Sequence, residues 1–181
     1  MSDPVSALNG ASFQGFASIR EIGPLGMITL RAKGLKSLDK AIKAVTGTKA
    51  PAQRRIEVNG DRACGWMSPD EYLLIVPYAN VAEALAKLAK ALDKKHHLAV
   101  DVSDARAVFR IEGDSAADVL RKLSPVDFDT LAPGELRRSR TAQVAAAMWK
   151  QDQGFTLVCF RSVASYVMGL LTHSAQPGSE I

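Results

Sequence analysis

The sequence predicts an α+β fold built from two similar halves, and three of its features carry that prediction. Short apolar runs with strand character alternate with stretches whose apolar residues recur at helical spacing. Tight-turn signals join consecutive strand runs, at Asn59-Gly60 and at Ser68-Pro69-Asp70, which favours antiparallel pairing. The third feature is a repeat. The stretch from Trp66 through MSPDE to YLLIVP parallels that from Trp149 through KQDQG to FTLVCF, each tryptophan standing six residues ahead of the apolar strand. The expected architecture is two pseudo-repeated βαββα units with mostly antiparallel sheets, in one domain over residues 16–173. A flexible N-terminus (1–15) and a flexible tail (174–181), both rich in Ser, Gly, Pro and Ala, are expected to pack little.

In chain order, LGMITLRAKG reads as a strand. Behind it Leu38, Ile42 and Val45 fall at i, i+4 and i+7, a helix face that Ser37 is placed to cap. RRIEVNGDRACGWM is expected to form a hairpin around Asn59-Gly60. The turn at Ser68-Pro69-Asp70 leads into a strand over Tyr72 to Val76, which Pro77 ends because proline has no N–H for the ladder. A helix starts from Asn80, with Glu83 as capping-box partner and Val81, Leu85, Leu88 and Leu92 as its apolar face. In the second half, ARAVFRIEG is a strand, and DSAADVLRKL is a short helix capped by Asp114 or Ser115 with Ala116, Leu120 and Leu123 inward. A loop containing Pro125, Pro133 and Gly134 leads to a strand TAQVAAAMW, a turn KQDQG and a strand FTLVCF. The last helix presents Val163, Tyr166, Val167, Leu170 and Leu171.

Composition narrows the function classes. With 181 residues, 47% apolar and 23% charged, the chain can bury a real core. No apolar run approaches the roughly 20 residues that span a bilayer, and MSDPVSALNGASFQG lacks the basic-then-apolar pattern of a secretory signal. Two cysteines, Cys64 and Cys159, make no disulfide framework, and a cytoplasmic setting is expected. The net charge of +4 gathers in Arg54-Arg55, in Lys94 to His97, and in Arg137, Arg138 and Arg140. Without interleaved aromatics or a zinc knuckle, these runs do not make a nucleic-acid surface. The third run lies in APGELRRSR, read as a loop. Its arginines suit a bidentate grip on carboxylates, and Trp149 follows nearby as an apolar anchor. Arg137, Arg138, Arg140 and Trp149 are therefore the candidate partner interface, with a solvated loop as the alternative.

Chemistry finds little support. Asp70 and Glu71 are adjacent, and neighbours on a strand point to opposite faces. Their counterparts in the second copy are Gln153 and Gly154, so the motif is more architectural than catalytic. Asp101 and Asp104 flank Ser103 in a turn, where such side chains cap backbone groups; Asp127 and Asp129 read the same way. His96, His97 and His173 have no metal-ligand spacing to each other or to a cysteine, and His96-His97 is expected to complement a helix C-terminus. Both cysteines alternate into strand interiors, and Gly10, Gly15, Gly23 and Gly26 have no phosphate-loop context. No catalytic, cofactor-binding or metal residue is assigned.

Two blocks carry a resemblance. The segment DVSDARAVFRIEGDSAADVLRKLSPVDFDTLAPGELRRSRTAQV resembles folate-dependent aminomethyltransferases at Asp101, Ser103, Gly113, Ala117, Leu120, Asp127 and Gly134. GWMSPDEYLLIVP, and FTLVCFRSVASYVMGLL with its arginine after the strand, look more like one branch of that superfamily: the gamma subunits of heterotetrameric sarcosine oxidases. The similarity runs over residues 16–173. It implies the folate-binding fold of aminomethyltransferases. It also implies a non-catalytic docking role in a complex that demethylates sarcosine to glycine, yielding hydrogen peroxide and formaldehyde or methylenetetrahydrofolate. The implied partners are alpha, beta and delta subunits, the alpha-type most directly. FAD, FMN, NAD, zinc and tetrahydrofolate are expected on or between those chains. Folate-using members place an essential acid where this chain reads TAQVAAAMWKQ, and no carboxylate lies between Thr141 and Gln151. A free-standing folate-binding one-carbon protein is the alternative, with an RNA-contacting module behind it.

Overall fold

The structure, a computed structural model, describes residues 3–181. Its elements are strands β1 (Ser12–Gln14), β2 (Ser18–Ile22) and β3 (Gly26–Ala32), helix α1 (Leu38–Thr46), strands β4 (Ile56–Asn59), β5 (Arg62–Ser68) and β6 (Glu71–Val76), helix α2 (Val81–Ala91), strands β7 (His97–Asp101) and β8 (Arg106–Glu112), helix α3 (Ala116–Arg121), strands β9 (Leu136–Thr141), β10 (Val144–Gln151) and β11 (Gly154–Phe160), and helix α4 (Ala164–Ser174). They form two compact units. The first, Leu25–Ser103, holds a five-stranded antiparallel sheet in the order β4-β5-β6-β3-β7. Helices α1 and α2 cover one face through Ile42, Val45, Val81 and Leu88 against Ile28, Leu30, Leu74 and Val76. The second, residues up to Pro24 with Asp104–Ile181, holds a six-stranded sheet in the order β1-β2-β8-β11-β10-β9. There Leu120 of α3 and Val167 and Leu171 of α4 pack with Ile19, Phe109, Ile111, Met148, Phe155 and Leu157.

The repeated element order is present, with four strands that the sequence reading did not assign: β1, β2, β7 and β9. Each unit runs strand, helix, three-stranded meander, helix. Of those four strands, β9 lies within the second repeat and occupies the stretch read as the loop ELRRSR. Its hairpin to β10 turns at Ala142-Gln143, with Thr141 opposite Val144. Ala142 holds φ +49 there without being Gly, Asn or Asp, so the usual sequence signal of a two-residue turn is missing.

Chain order and strand pairing also part company. β2 precedes β3 across the short link Gly23–Leu25, yet it bonds to β8; β7 precedes β8, yet it bonds to β3. Each repeat therefore donates its leading strand to the other repeat's sheet. Each exchanged strand is buried by the helices of the sheet it joins: Ile19 on β2 enters the α3–α4 cluster and Ala99 on β7 packs against the α1–α2 cluster.

Local signals held at most termini, with changes in the caps. Ser37, Asn80 and Ser115 sit at N-cap positions, but none makes a side-chain capping bond, and Ser37 Oγ is buried without a partner. Asn80 Oδ1 instead accepts from Arg62 at 3.3 Å, and Glu83 pairs with Lys87 at 2.7 Å rather than closing a capping box. His97 opens β7 instead of ending a helix. Tyr166, assigned inward, is exposed, while Ala164 and Met168 join Val167 and Leu171 against the core.

The ends of the chain are more tied than composition suggests. Glu21, 3% exposed, accepts from Ser6 Oγ at 2.8 Å and from the N–H groups of Leu8 and Gly10 at 3.0 and 2.9 Å. Phe13 on β1 packs on the core. At the other end Lys122 Nζ donates to Ser174 O at 2.8 Å and to Ser179. The expectation for residues 1 and 2 lies outside the described residues.

Candidate partner-docking face

β9 is an edge strand, and alternation along it divides its arginines. Arg138 and Arg140 are exposed, on the face that also carries Leu136; Arg137 leaves the opposite face. Arg137 is held by Glu135 at 2.9 Å and donates to Leu136 O at 3.2 Å. The three residues read as one run thus split between two faces, with Arg138 and Arg140 exposed on one and Arg137 paired with Glu135 on the other. Arginines on an edge also discourage unwanted strand addition, which is the bland reading of the run.

Trp149 is 3% exposed, and its Nε1 donates to Gln151 Oε1 at 3.3 Å. It is not an available anchor in the folded chain. The register places it opposite Leu136 on one side and Thr156 on the other. Beyond Thr156 lies Arg110, buried, which donates to Glu112, Thr156 Oγ1, Gln151 O and Asp152 over 3.0 to 3.3 Å. That network ties the β10–β11 hairpin to β8.

Trp66 does not repeat the placement of Trp149. A β-bulge between Trp66 and Ser68 shifts the register, so Trp66 lies opposite Tyr72, which pairs with Leu30 on the helix-covered face. Trp149, with no bulge, lies on the face without helices. The two tryptophans share a strand position and differ in face, which corrects the expectation of full equivalence.

An exposed aromatic that sequence reasoning missed is Phe160. Arg138 faces Ala147, Ala147 faces Val158, and Phe160 is two residues beyond Val158 on the same side. Phe160 is 49% exposed, and the Arg106 guanidinium lies 4.2 Å from its ring centroid. Its signal was hidden, because Phe160 ends an apolar run whose other large members are buried. Arg140 leaves the same face near the strand end and borders a hollow of about 280 Å³ with Arg121, Lys122, Ser124 and Gln143. Arg121 there is already paired with Asp118 and Asp129, and Lys122 with Ser174 and Ser179.

The remaining candidates for chemistry are structural. Asp70 Oδ1 accepts from Ser68 Oγ at 2.8 Å, and that bond, helped by Arg31 and Lys33, lowers its pKa below the ordinary carboxylate value. Glu71 pairs instead with Arg31 at 3.2 Å. Asp101 accepts from Ser103 N at 2.9 Å, and Ser103 Oγ accepts from Met27 N at 2.9 Å, which closes the β7–β8 turn. Burial pushes both thiols up, Cys159 to about 11 and Cys64 further, so neither supplies a thiolate near neutrality. Arg161, the arginine after the last strand, donates to Val5 O and Ser6 O at 3.1 Å. Among the described residues no group of three or more His, Cys, Asp and Glu is placed to hold a metal ion. Nor is any helix long and apolar enough to cross a membrane.

Comparison with known proteins places this geometry. The model of the sarcosine oxidase, gamma subunit family matches residues 35–176, across both units. The sarcosine oxidase subunit gamma of Corynebacterium sp. (strain P-1) is 32% identical over 152 residues, covering 81% of this chain and 73% of that one. A chain of the heterotetrameric sarcosine oxidase from Corynebacterium sp. U-96, solved in complex with pyrrole 2-carboxylate, superposes with a TM-score of 0.80 at 26% identity. That match covers 88% of this chain and 83% of the other. The glycine cleavage system aminomethyltransferase T from Bartonella henselae shares the fold, with a TM-score of 0.66 at 15% identity over 91% of this chain and 47% of the other.

Proposed function

The chain belongs to the sarcosine oxidase gamma subunit family, and from that premise we propose that it is the non-catalytic docking subunit of a heterotetrameric sarcosine oxidase. The observation that carries this reading is the family match, which spans both units with a superposition of the whole fold. The complex oxidatively demethylates sarcosine to glycine, releasing hydrogen peroxide and formaldehyde or passing the carbon to tetrahydrofolate. FAD, FMN, NAD, zinc and tetrahydrofolate belong in this reading to the alpha, beta and delta chains or to their junctions. Both units, residues 16–173, act as one gamma-type module in the cytoplasm, and the face bearing Arg138 and Arg140 meets the alpha-type subunit.

A free-standing folate-binding protein would share this fold, but β10 and the turn before it carry no carboxylate to act on the carbon unit. The test is to purify the chain alone and together with the other three chains. Alone it should be colourless, silent on sarcosine and without affinity for tetrahydrofolate; together it should elute with the flavin-containing chains. A bound yellow chromophore or peroxide production by the chain alone would overturn the reading, as would failure to co-elute.

A further inference from the structure

We propose that β7 pairs with the β7 strand of a second copy of this chain, antiparallel and centred on Ala99, so that two five-stranded sheets join edge to edge. The inference goes beyond the docking-subunit reading and does not depend on it. Among the described strands, β7 closes its sheet with β3 as its one neighbour. The Val102 N–H donates to Met27 O at 2.8 Å. Antiparallel bonds recur at every second residue, so Val100 bonds to Thr29 and Leu98 to Arg31. The main-chain N–H and C=O groups of His97, Ala99 and Asp101 therefore point off the edge of the sheet. A row of such groups is a template for another strand.

Proteins usually blunt a free edge with a proline, a bulge or a charge inside the strand. β7 reads HLAVD, without proline, and it runs in register with β3 from His97 to Asp101 without a bulge. Its interior side chains on the face away from the helices are large, apolar and exposed, Leu98 at 53% and Val100 at 41%.

The register selects the occupant. An antiparallel partner centred on Ala99 uses all five residues, and every outward N–H meets an outward C=O. Leu98 then lies against Val100 of the second copy, and Val100 against its Leu98. These are the non-hydrogen-bonded positions, where cross-strand side chains come closest. At each end His97 lies against Asp101 of the other copy. Asp101 Oδ1 accepts from Ser103 N and Oγ at 2.9 and 2.5 Å, which leaves Oδ2 for the imidazole. Slipped registers lose this match. Centring on Asp101 sets two carboxylates against each other, and centring on His97 sets Leu98 against His96 and Val100 against Lys94. The edge is thus complementary to itself. It is also short, burying far less than the roughly 1,600 Å² of a standard interface, so the dimer is weak and concentration-dependent.

The experiment is sedimentation equilibrium on the full-length chain from about 10 µM to about 1 mM, at low and high salt, with the melting temperature read for each variant. The parent should show a monomer–dimer equilibrium. Leu98→Lys, which puts a charge inside the edge, and Ala99→Pro, which removes an outward N–H and no bond to β3, should each weaken it by about tenfold or more. Val58→Lys, on the opposite edge strand β4 and equally exposed, should match the parent. His97→Lys should tighten the dimer at low salt and His97→Glu should loosen it, with both differences shrinking at high salt. General repulsion between chains of net charge +4 would order these two variants the other way. A parent that stays monomeric at the highest concentration overturns the proposal and leaves the edge to a strand of a different protein. A Leu98→Lys dimer within about twofold of the parent places the contact elsewhere and also overturns it. Should Ala99→Pro melt lower, the His97 pair decides: equal affinities for His97→Lys and His97→Glu at low salt would refute the register. None of these results alters the co-elution test of the docking reading.

Discussion

Glu21 illustrates how a single residue organises a terminus. Its carboxylate is buried on β2 and accepts from the Ser6 hydroxyl and the Leu8 and Gly10 N–H groups, which together stand in for a cation. Glu21→Ala removes the acceptor and leaves those donors without it, so the chain should lose about 3 kcal/mol in urea unfolding. Residues 3–11 should then become the first site of limited proteolysis. An unchanged midpoint would mean that the segment is held by Ala7, Leu8 and Phe13 packing alone. The two cysteines act at the same scale. Burial raises Cys64, with Glu57 and Asp39 adding to the effect, and raises Cys159 to about 11 against the opposing charge of Arg106. The folded state therefore keeps protons that the unfolded chain releases. Stability is full below the ordinary thiol pKa and falls as pH rises from about 9 toward 11, by roughly 1.4 kcal/mol per pH unit for each thiol. Unfolding free energies across that range should fall less steeply for Cys64→Ala/Cys159→Ala than for the parent chain; equal slopes would remove the thiols as the source.

Turns and bulges decide what the elements present. The β9–β10 turn works with Ala142 at φ +49, where an L-residue with a Cβ is strained, and the Ala142 N–H still reaches Leu123 O at 2.8 Å. Ala142→Gly keeps that bond and relieves the strain, so it should raise stability by about 0.5–1 kcal/mol, read as a higher urea midpoint. A loss of stability would show that the hairpin tolerates its turn at no cost. At the start of β11 the constraint is reversed. A Cβ on Gly154 would lie 2.1 Å from Ile111 O and 3.0 Å from the Glu112 Cα, both backbone atoms of β8. Gly154→Ala should therefore cost about 2 kcal/mol or more, because neither strand can retreat without breaking the ladder. The bulge at Trp66 and Ser68 shows the other device: one extra residue moves a side chain to the opposite face of its sheet.

For the whole molecule, the exchange of leading strands makes a prediction about cooperativity. β2 is bonded to β8 although its chain neighbour β3 belongs to the other sheet. Hydrogen exchange should report pairing rather than sequence proximity. Phe109→Ala, a cavity in the core under α3 and α4, should accelerate exchange in residues 18–22 together with 154–160, ahead of residues 26–32. If residues 18–22 instead followed 26–32, the exchanged strand would not be part of the second unit's cooperative core. The same exchange makes each unit depend on a strand from the other repeat.

The sequence by itself determined the class, the four helices, most strands of the two meanders and the repeated order of the elements. These are local properties: the period of Leu38, Ile42 and Val45, the turn at Pro69-Asp70 and the strand apolarity of YLLIVP report on a few neighbouring residues. It also located the two exposed arginines of the edge strand, Arg138 and Arg140, because a charge run is visible without knowing its partners. Tertiary structure decided the rest. Whether Trp149 is buried, whether Arg137 faces Glu135, and whether Phe160 ends a strand in solvent all depend on register, which is set by hydrogen bonds to strands far away in sequence. A shift of one residue, such as the bulge supplies at Trp66, reverses every such assignment, and no local pattern records it. The exchange of β2 and β7 is of the same kind, since apolar alternation says that a strand has a buried face but not which sheet will bury it.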